Sequence, residues 1–104
     1  MDNFKTIYLI LAILEKALDG GLDLRDLAPE ALRVSERRRN SLLIMLQEEG
    51  YITGLKFVDA IGLHDIRLDD MRITLKGLEY LQENSMMKKA YRALKGVKGI
   101  TPGS

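Results

Sequence analysis

The residues best suited to chemistry lie in one short stretch. Arg33, Arg37, Arg38 and Arg39 are accompanied by Asn40 and Ser41, with Glu36 as the one acid among them. Arginine donates in a planar fork that matches phosphate oxygens or the edge of guanine. Asparagine matches adenine, and an aliphatic side chain touches a thymine methyl. Helical spacing from Ser35 places Arg37, Asn40, Ser41, Ile44, Gln47 and Glu48 on one face. Leu42, Leu43 and Leu46 take the other, with Met45 at its edge. The first face has the chemistry of a DNA reader: Arg37, Asn40, Ser41 and Ile44 toward bases, Arg33 and Arg38 toward phosphates. A solvated surface helix has the same pattern, in which case Ile44 marks a protein interface. Arg39 falls on the apolar side, where its stem is expected to run along the core edge.

Other reactive groupings are weak. Cysteine is absent, so neither a disulfide framework nor a thiolate metal site is available. The single histidine, His64, stands near Asp59, Asp65, Asp69 and Asp70, but their spacing fits no metal-loop pattern and a polar hairpin tip explains them better. Glu48-Glu49 and Asp69-Asp70 are adjacent in sequence and diverge on a helix or strand, which suits no shared proton. No glycine-rich phosphate loop or nucleophile–histidine pair occurs. The expectation is a protein that is not an enzyme and uses no cofactor, metal or small-molecule ligand.

The elements that must position the arginines read in order. Asp2 caps a first helix that should run to about Asp19, where Gly20-Gly21 stops it. Phe4, Ile7, Leu11, Leu14 and Leu18 form its stripe, yet Tyr8, Leu9, Ile10 and Ile13 lie outside it. This helix therefore needs cover on more than one side. Leu22 to Leu24 is compatible with one short strand. Pro29 opens a brief helix ending near Arg33, and Ser35 caps the next, which runs to Glu49 and stops at Gly50. Leu32 and Val34 fill the angle between these two helices. Tyr51, Ile52, Phe57 and Val58 have strand character, answered by Ile66–Leu68 or Met71–Ile73. Thr74 caps a fourth helix through Asn84, and Ser85 a fifth, with Met87, Ala90, Tyr91 and Leu94 at helical spacing.

This order predicts a mostly α, α+β chain: a winged helix-turn-helix with a two- or three-stranded β-wing and an added C-terminal helix. Its 104 residues, 46% of them hydrophobic, suffice for one small core, so a single domain over 1–100 and a frayed tail over 101–104 are expected. The longest apolar run, Ile7 to Leu14, is far short of a membrane span, and Asp2 replaces the basic start of a signal peptide. A cytoplasmic protein is the expectation.

Net charge is only +1, but its distribution is uneven. No acid follows Glu83, whereas Lys88, Lys89, Arg92, Lys95 and Lys98 do. Lys88, Lys89 and Arg92 are added candidates for phosphate contact. The hairpin points the other way: Asp59, Asp65, Asp69 and Asp70 outnumber Lys56 and Arg67, and a wing that follows phosphates is normally basic.

Val34-Ser35-Glu36 leading to Gly50-Tyr51-Ile52, then Leu75-x-x-x-Glu79-Tyr80-Leu81-x-Glu83-Asn84-Ser85 and Lys89-Ala90-Tyr91, resemble the YjcQ-like proteins of Gram-positive bacteria and their prophages. The resemblance covers most of the chain. It implies a winged-helix fold in a phage or mobile-element setting, and carries no established function or functional residues. The arginine run and Arg39 depart from it. The reading of the residues is a DNA-binding domain of a small bacterial or prophage regulator, partnered by double-stranded DNA. The alternative is a protein-interaction module or homodimer without DNA binding. For a dimer, the exposed side of the first helix around Leu9 is the expected interface.

Overall fold

A computed structural model describes residues 2–60 and 63–85. The first helix, α1 (Asn3–Gly20), starts where the Asp2 carboxylate accepts the Phe4 N–H at 2.8 Å, and ends on Gly21 at φ 82°. Thr6, Tyr8, Leu9, Ile10, Leu11 and Leu14 are all buried, more than one face of a helix can supply. The excess is covered within the chain, because α1 packs against the fourth helix, the last strand and a 3-10 turn. Leu9 is only 9% exposed. The Leu9 side chain, expected at a dimer surface, is spent on the core of its own chain.

Leu22–Leu24 is not a strand. Asp23 accepts the Arg25 N–H at 3.0 Å and its two oxygens hold the Arg25 guanidinium, which winds Leu24–Leu27 into a 3-10 turn. An aspartate that bonds the backbone two residues on competes with strand pairing.

The helix-turn-helix forms where capping chemistry placed it. Pro29 opens α2 (Pro29–Leu32), and Ser35 Oγ accepts the Arg38 N–H at 3.1 Å to open α3 (Glu36–Glu48). Leu32 is fully buried and Val34 packs against the core at the corner. α3 buries Leu42, Leu43 and Leu46, and ends in a Schellman motif. In it Tyr51 N–H donates to Leu46 O (2.9 Å) and Gly50 N–H to Gln47 O (3.0 Å), with Gly50 at φ 82°.

The hairpin has four short strands in two ladders. β1 (Ile52–Thr53) pairs antiparallel with β4 (Arg72–Ile73), and β2 (Lys56–Ala60) with β3 (Leu63–Arg67). Both candidate return segments are thus strands, separated by a turn in which Met71 N–H donates to Leu68 O. The ladder breaks because Gly54, at φ 88°, lies against the backbone of Asp70, while Leu55 and Met71 turn into the core. The wing is two-stranded, within the expected two or three strands, and its hairpin is interrupted near the base.

Thr74 caps α4 (Leu75–Glu83), accepting from Gly77 N–H at 3.2 Å and donating to Gly50 O at 2.6 Å. Lys76 Nζ donates to Glu49 O at 2.7 Å and sits 4.6 Å from the centre of the Tyr51 ring, and Tyr51 meets Tyr80 edge to face. The first turn of α4 therefore clamps the end of α3. This arrangement is a mostly helical α+β winged helix. The fifth helix expected from Ser85, with Lys88, Lys89 and Arg92, and the tail 101–104 lie outside the described residues.

Candidate nucleic-acid interface

The corner before α3 contains a backbone exception. Arg33 has φ 58° and ψ 41°, the left-handed conformation that favours glycine. Its N–H donates toward Glu30 O and the Val34 N–H to Pro29 O (3.1 Å), the same Schellman pattern that Gly50 completes after α3. An arginine held there costs about 1 kcal/mol relative to glycine. Its side chain is exposed and has no ion pair among the described residues.

The exposed face of α3 is rotated from the one expected. Arg37, Arg38, Ser41, Met45 and Glu48 face solvent. Ile44 is half-buried and packs on the core, whereas Met45 is 50% exposed. The sequence reading had these two reversed. Asn40 and Gln47 are half-buried too. Polar bonds accompany this orientation. Arg39 Nε and Nη2 both donate to Asn40 Oδ1, at 3.0 and 2.9 Å, and its Nη1 donates to Leu27 O at 3.2 Å. Asn40 has therefore committed the oxygen it would need to read adenine. Arg39 stays at the core edge as expected, held there by the carbonyl of Leu27.

Gln47 bonds the hairpin. Leu55 N–H donates to its Oε1 at 2.7 Å, and its Nε2 donates to Leu55 O at 3.1 Å. Both backbone groups of the residue at the ladder break are satisfied by this one side chain. Nothing in the sequence marks this role, since the unpaired residue appears only once the ladders are known.

Arg38 reaches in the opposite direction, donating from Nη1 to Asn3 Oδ1 on α1 at 2.8 Å. The side chains of Arg37 and Ser41 make no hydrogen bond within the described residues. None of Arg33, Arg37 and Arg38 is ion-paired there. The wing is different. Lys56 pairs with Asp70 at 2.7 Å, and Arg67 lies 3.9 Å from Asp69. The Lys56 ammonium, bonded to Asp70, holds that carboxyl below the ordinary carboxylate range, and Asp70 in turn raises Lys56. Lys56 and Arg67 thus each have an acid of the wing beside them, whereas Arg72 on β4 has none within ion-pair distance among the described residues. Phe57, opposite Ile66 in the ladder, is 61% exposed.

A cleft of about 600 Å³ between the end of α1 and the hairpin base is lined by Leu14, Leu18, Leu22 and Met71, with Lys56 and Asp70 among its charged residues. Sequence gave no sign of it. The side chains of Asp59 and His64 lie outside the described residues, and no cluster of metal-binding type occurs among the rest. No helix among the described residues is long and apolar enough to cross a membrane.

Comparison with known proteins places this geometry in a lineage. A family model described as YjcQ protein matches residues 8–100. The chain is 32% identical over 87 residues to the uncharacterized protein YjcQ of Bacillus subtilis (strain 168), covering 84% of this chain and 87% of the relative. No solved structure matches.

Proposed function

The chain belongs to the YjcQ family, and from that premise we propose that it is the winged-helix DNA-binding domain of a small bacterial or prophage regulator, with α3 as recognition helix. The observation that carries this reading is the unpaired state of Arg33, Arg37 and Arg38. Three cations stand together at one corner, with no carboxylate within ion-pair distance among the described residues. Arg25, by contrast, is matched by Asp23 at 2.9 Å. The strained backbone of Arg33 supports the same reading, since strain is retained where the side chain has work that glycine cannot do.

The contact set is revised accordingly. Arg37, Ser41 and Met45 face the bases, Met45 replacing Ile44 as the apolar contact, and Asn40 is withdrawn. Arg33 and Arg38 hold phosphates. Lys88, Lys89 and Arg92 remain proposed phosphate contacts on charge alone. The wing, where Asp70 and Asp69 lie beside Lys56 and Arg67, is assigned no phosphate role.

The test is selection from a random duplex library at low and at physiological salt. Enrichment of a shared sequence, with affinity falling steeply as salt rises, is the expected result. No retention of any duplex at low salt would end this reading. The second reading, a protein-interaction module or homodimer, is favoured by exposed Phe57 on an acidic hairpin. It predicts a stable partner or dimer that Phe57→Ser weakens.

A further inference from the structure

Asn3 and Arg38 join the first turns of two helices that are 35 residues apart in sequence. Between them lies a cleft of about 320 Å³, with Asn3, Ser35, Arg37, Arg38 and Ser41 around it and two apolar side chains of α3. No acidic residue lines it. Its polar inventory is one-sided. A guanidinium has donors only, so the Asn3 amide must offer its oxygen to Arg38, which leaves the Asn3 NH₂ unengaged. Ser35 Oγ already accepts from the backbone of Arg38, so its O–H is available to donate. Arg38 has spent one of its five N–H groups, and Arg37 and Ser41 none, within the described residues. The unengaged donors of Arg38, Asn3 and Ser35, with the Arg37 cation beside them, match a tetrahedral anion presenting several acceptor oxygens.

We propose that this cleft binds one phosphate group, and that Asn3 is the residue that positions Arg38 for it. The bond to Asn3 holds the long Arg38 side chain in place before the phosphate arrives, so less rotamer freedom is lost on binding. The proposal deepens the DNA reading above and rests on it for the source of the phosphate: a phosphodiester of the duplex backbone. A free phosphate group shares the same chemistry. With a backbone phosphate seated here, α1 becomes part of the interface and sets which turn of α3 enters the groove.

The test combines two titrations on the whole chain. In the first, duplex binding is measured against salt for wild type, Asn3→Ala, Arg38→Ala and the double variant. Arg38→Ala should lower the slope of log affinity on log salt by about one. Asn3→Ala removes no charge yet should weaken binding, and its effect should vanish in the Arg38→Ala background. Asn3→Asp, which keeps the acceptor oxygen but adds a negative charge beside the site, should weaken binding further. Thermal melts must show all variants folded. In the second, inorganic phosphate is titrated while the side-chain amide of Asn3 and the backbone amides of Arg38 and Ser41 are followed by NMR. Those signals should move in wild type and stay still in Arg38→Ala. If duplex binding is absent but these signals respond, the DNA reading fails while the cleft stands as a site for a free phosphate group. If folded Asn3→Ala binds duplex as wild type does, Asn3 positions nothing and the proposal is overturned. It is equally overturned if neither duplex nor phosphate moves the cleft signals.

Discussion

Gln47 on α3 pairs with the backbone of Leu55 as a neighbouring strand would, donating to its carbonyl at 3.1 Å and accepting its N–H at 2.7 Å. These two hydrogen bonds tie the wing to the helix where the hairpin ladder is interrupted. Leu55 itself is buried, so its backbone groups have little water to turn to. Gln47→Leu should therefore cost about 1–3 kcal/mol, the range for leaving buried donors and acceptors unsatisfied. Urea unfolding gives the number. Gln47→Glu, which keeps the acceptor and loses the donor, should fall between the two. A Gln47→Leu variant as stable as wild type would show that the tie does not hold the wing.

Ile44 and Met45 separate packing from recognition. Ile44 packs on the core, so Ile44→Ala should destabilise the fold by about 1–2 kcal/mol, less than a fully buried position would lose. Its duplex affinity, measured on folded protein, should change little. Met45→Ala, at an exposed position, should leave stability within about 0.5 kcal/mol and alter the sequence preference of binding. The opposite assignment of effects would return the recognition face to the one read from the helical wheel.

Arg33→Gly sets stability against function. Glycine accepts φ 58° without strain, so the variant should be more stable by up to about 1 kcal/mol. If Arg33 holds a phosphate, the same variant should lose duplex affinity. Paired melting and binding measurements decide the matter. A gain in stability with unchanged affinity would leave the strained arginine without a functional reason.

Gly77 is where α4 crosses the base of the hairpin. A methyl group there would press on Tyr51 O and lie 2.6 Å from Ile73 Cγ1. Gly77→Ala should cost about 1–3 kcal/mol despite the better helix propensity of alanine. An exposed helical comparison, Glu79→Ala, should stay near neutral. Denaturant midpoints for the two variants test this, and a stabilised Gly77→Ala would mean that the crossing has room to relax.

The Lys56–Asp70 pair sets a modest pH dependence. Asp70 titrates below its ordinary value in the fold, so its contribution is present above that value and is lost as pH falls through the depressed one. Lys56 titrates above its ordinary value, so its contribution is present below that value and is lost as pH rises through the raised one. Both side chains are exposed, and salt screens the pair. The stability difference between wild type and Asp70→Asn should shrink at both pH extremes and in molar salt. A difference that persists at low pH would place the effect elsewhere than in this pair.

Local signals in the sequence determined most of the fold. Asp2, Ser35 and Thr74 cap the helices they were assigned to, Gly50 ends α3, Pro29 opens α2, and Leu32 and Val34 fill the corner. Capping and periodicity act over a few residues, so a linear reading reaches them. The family was legible from spaced residues for the same reason. The candidate site was legible only as a cluster of arginines. Which of its polar residues are engaged depends on partners brought in from other elements: Leu27 O holds Arg39, Leu55 claims Gln47, and Asn3 claims Arg38. In that packing α3 presents Met45 rather than Ile44 on the surface. The burial of Leu9 was likewise decided by elements that return to α1 from elsewhere in the chain. A helical wheel ranks residues by apolarity, but a half-buried polar group settles where a specific donor or acceptor meets it, and only the tertiary structure supplies that partner.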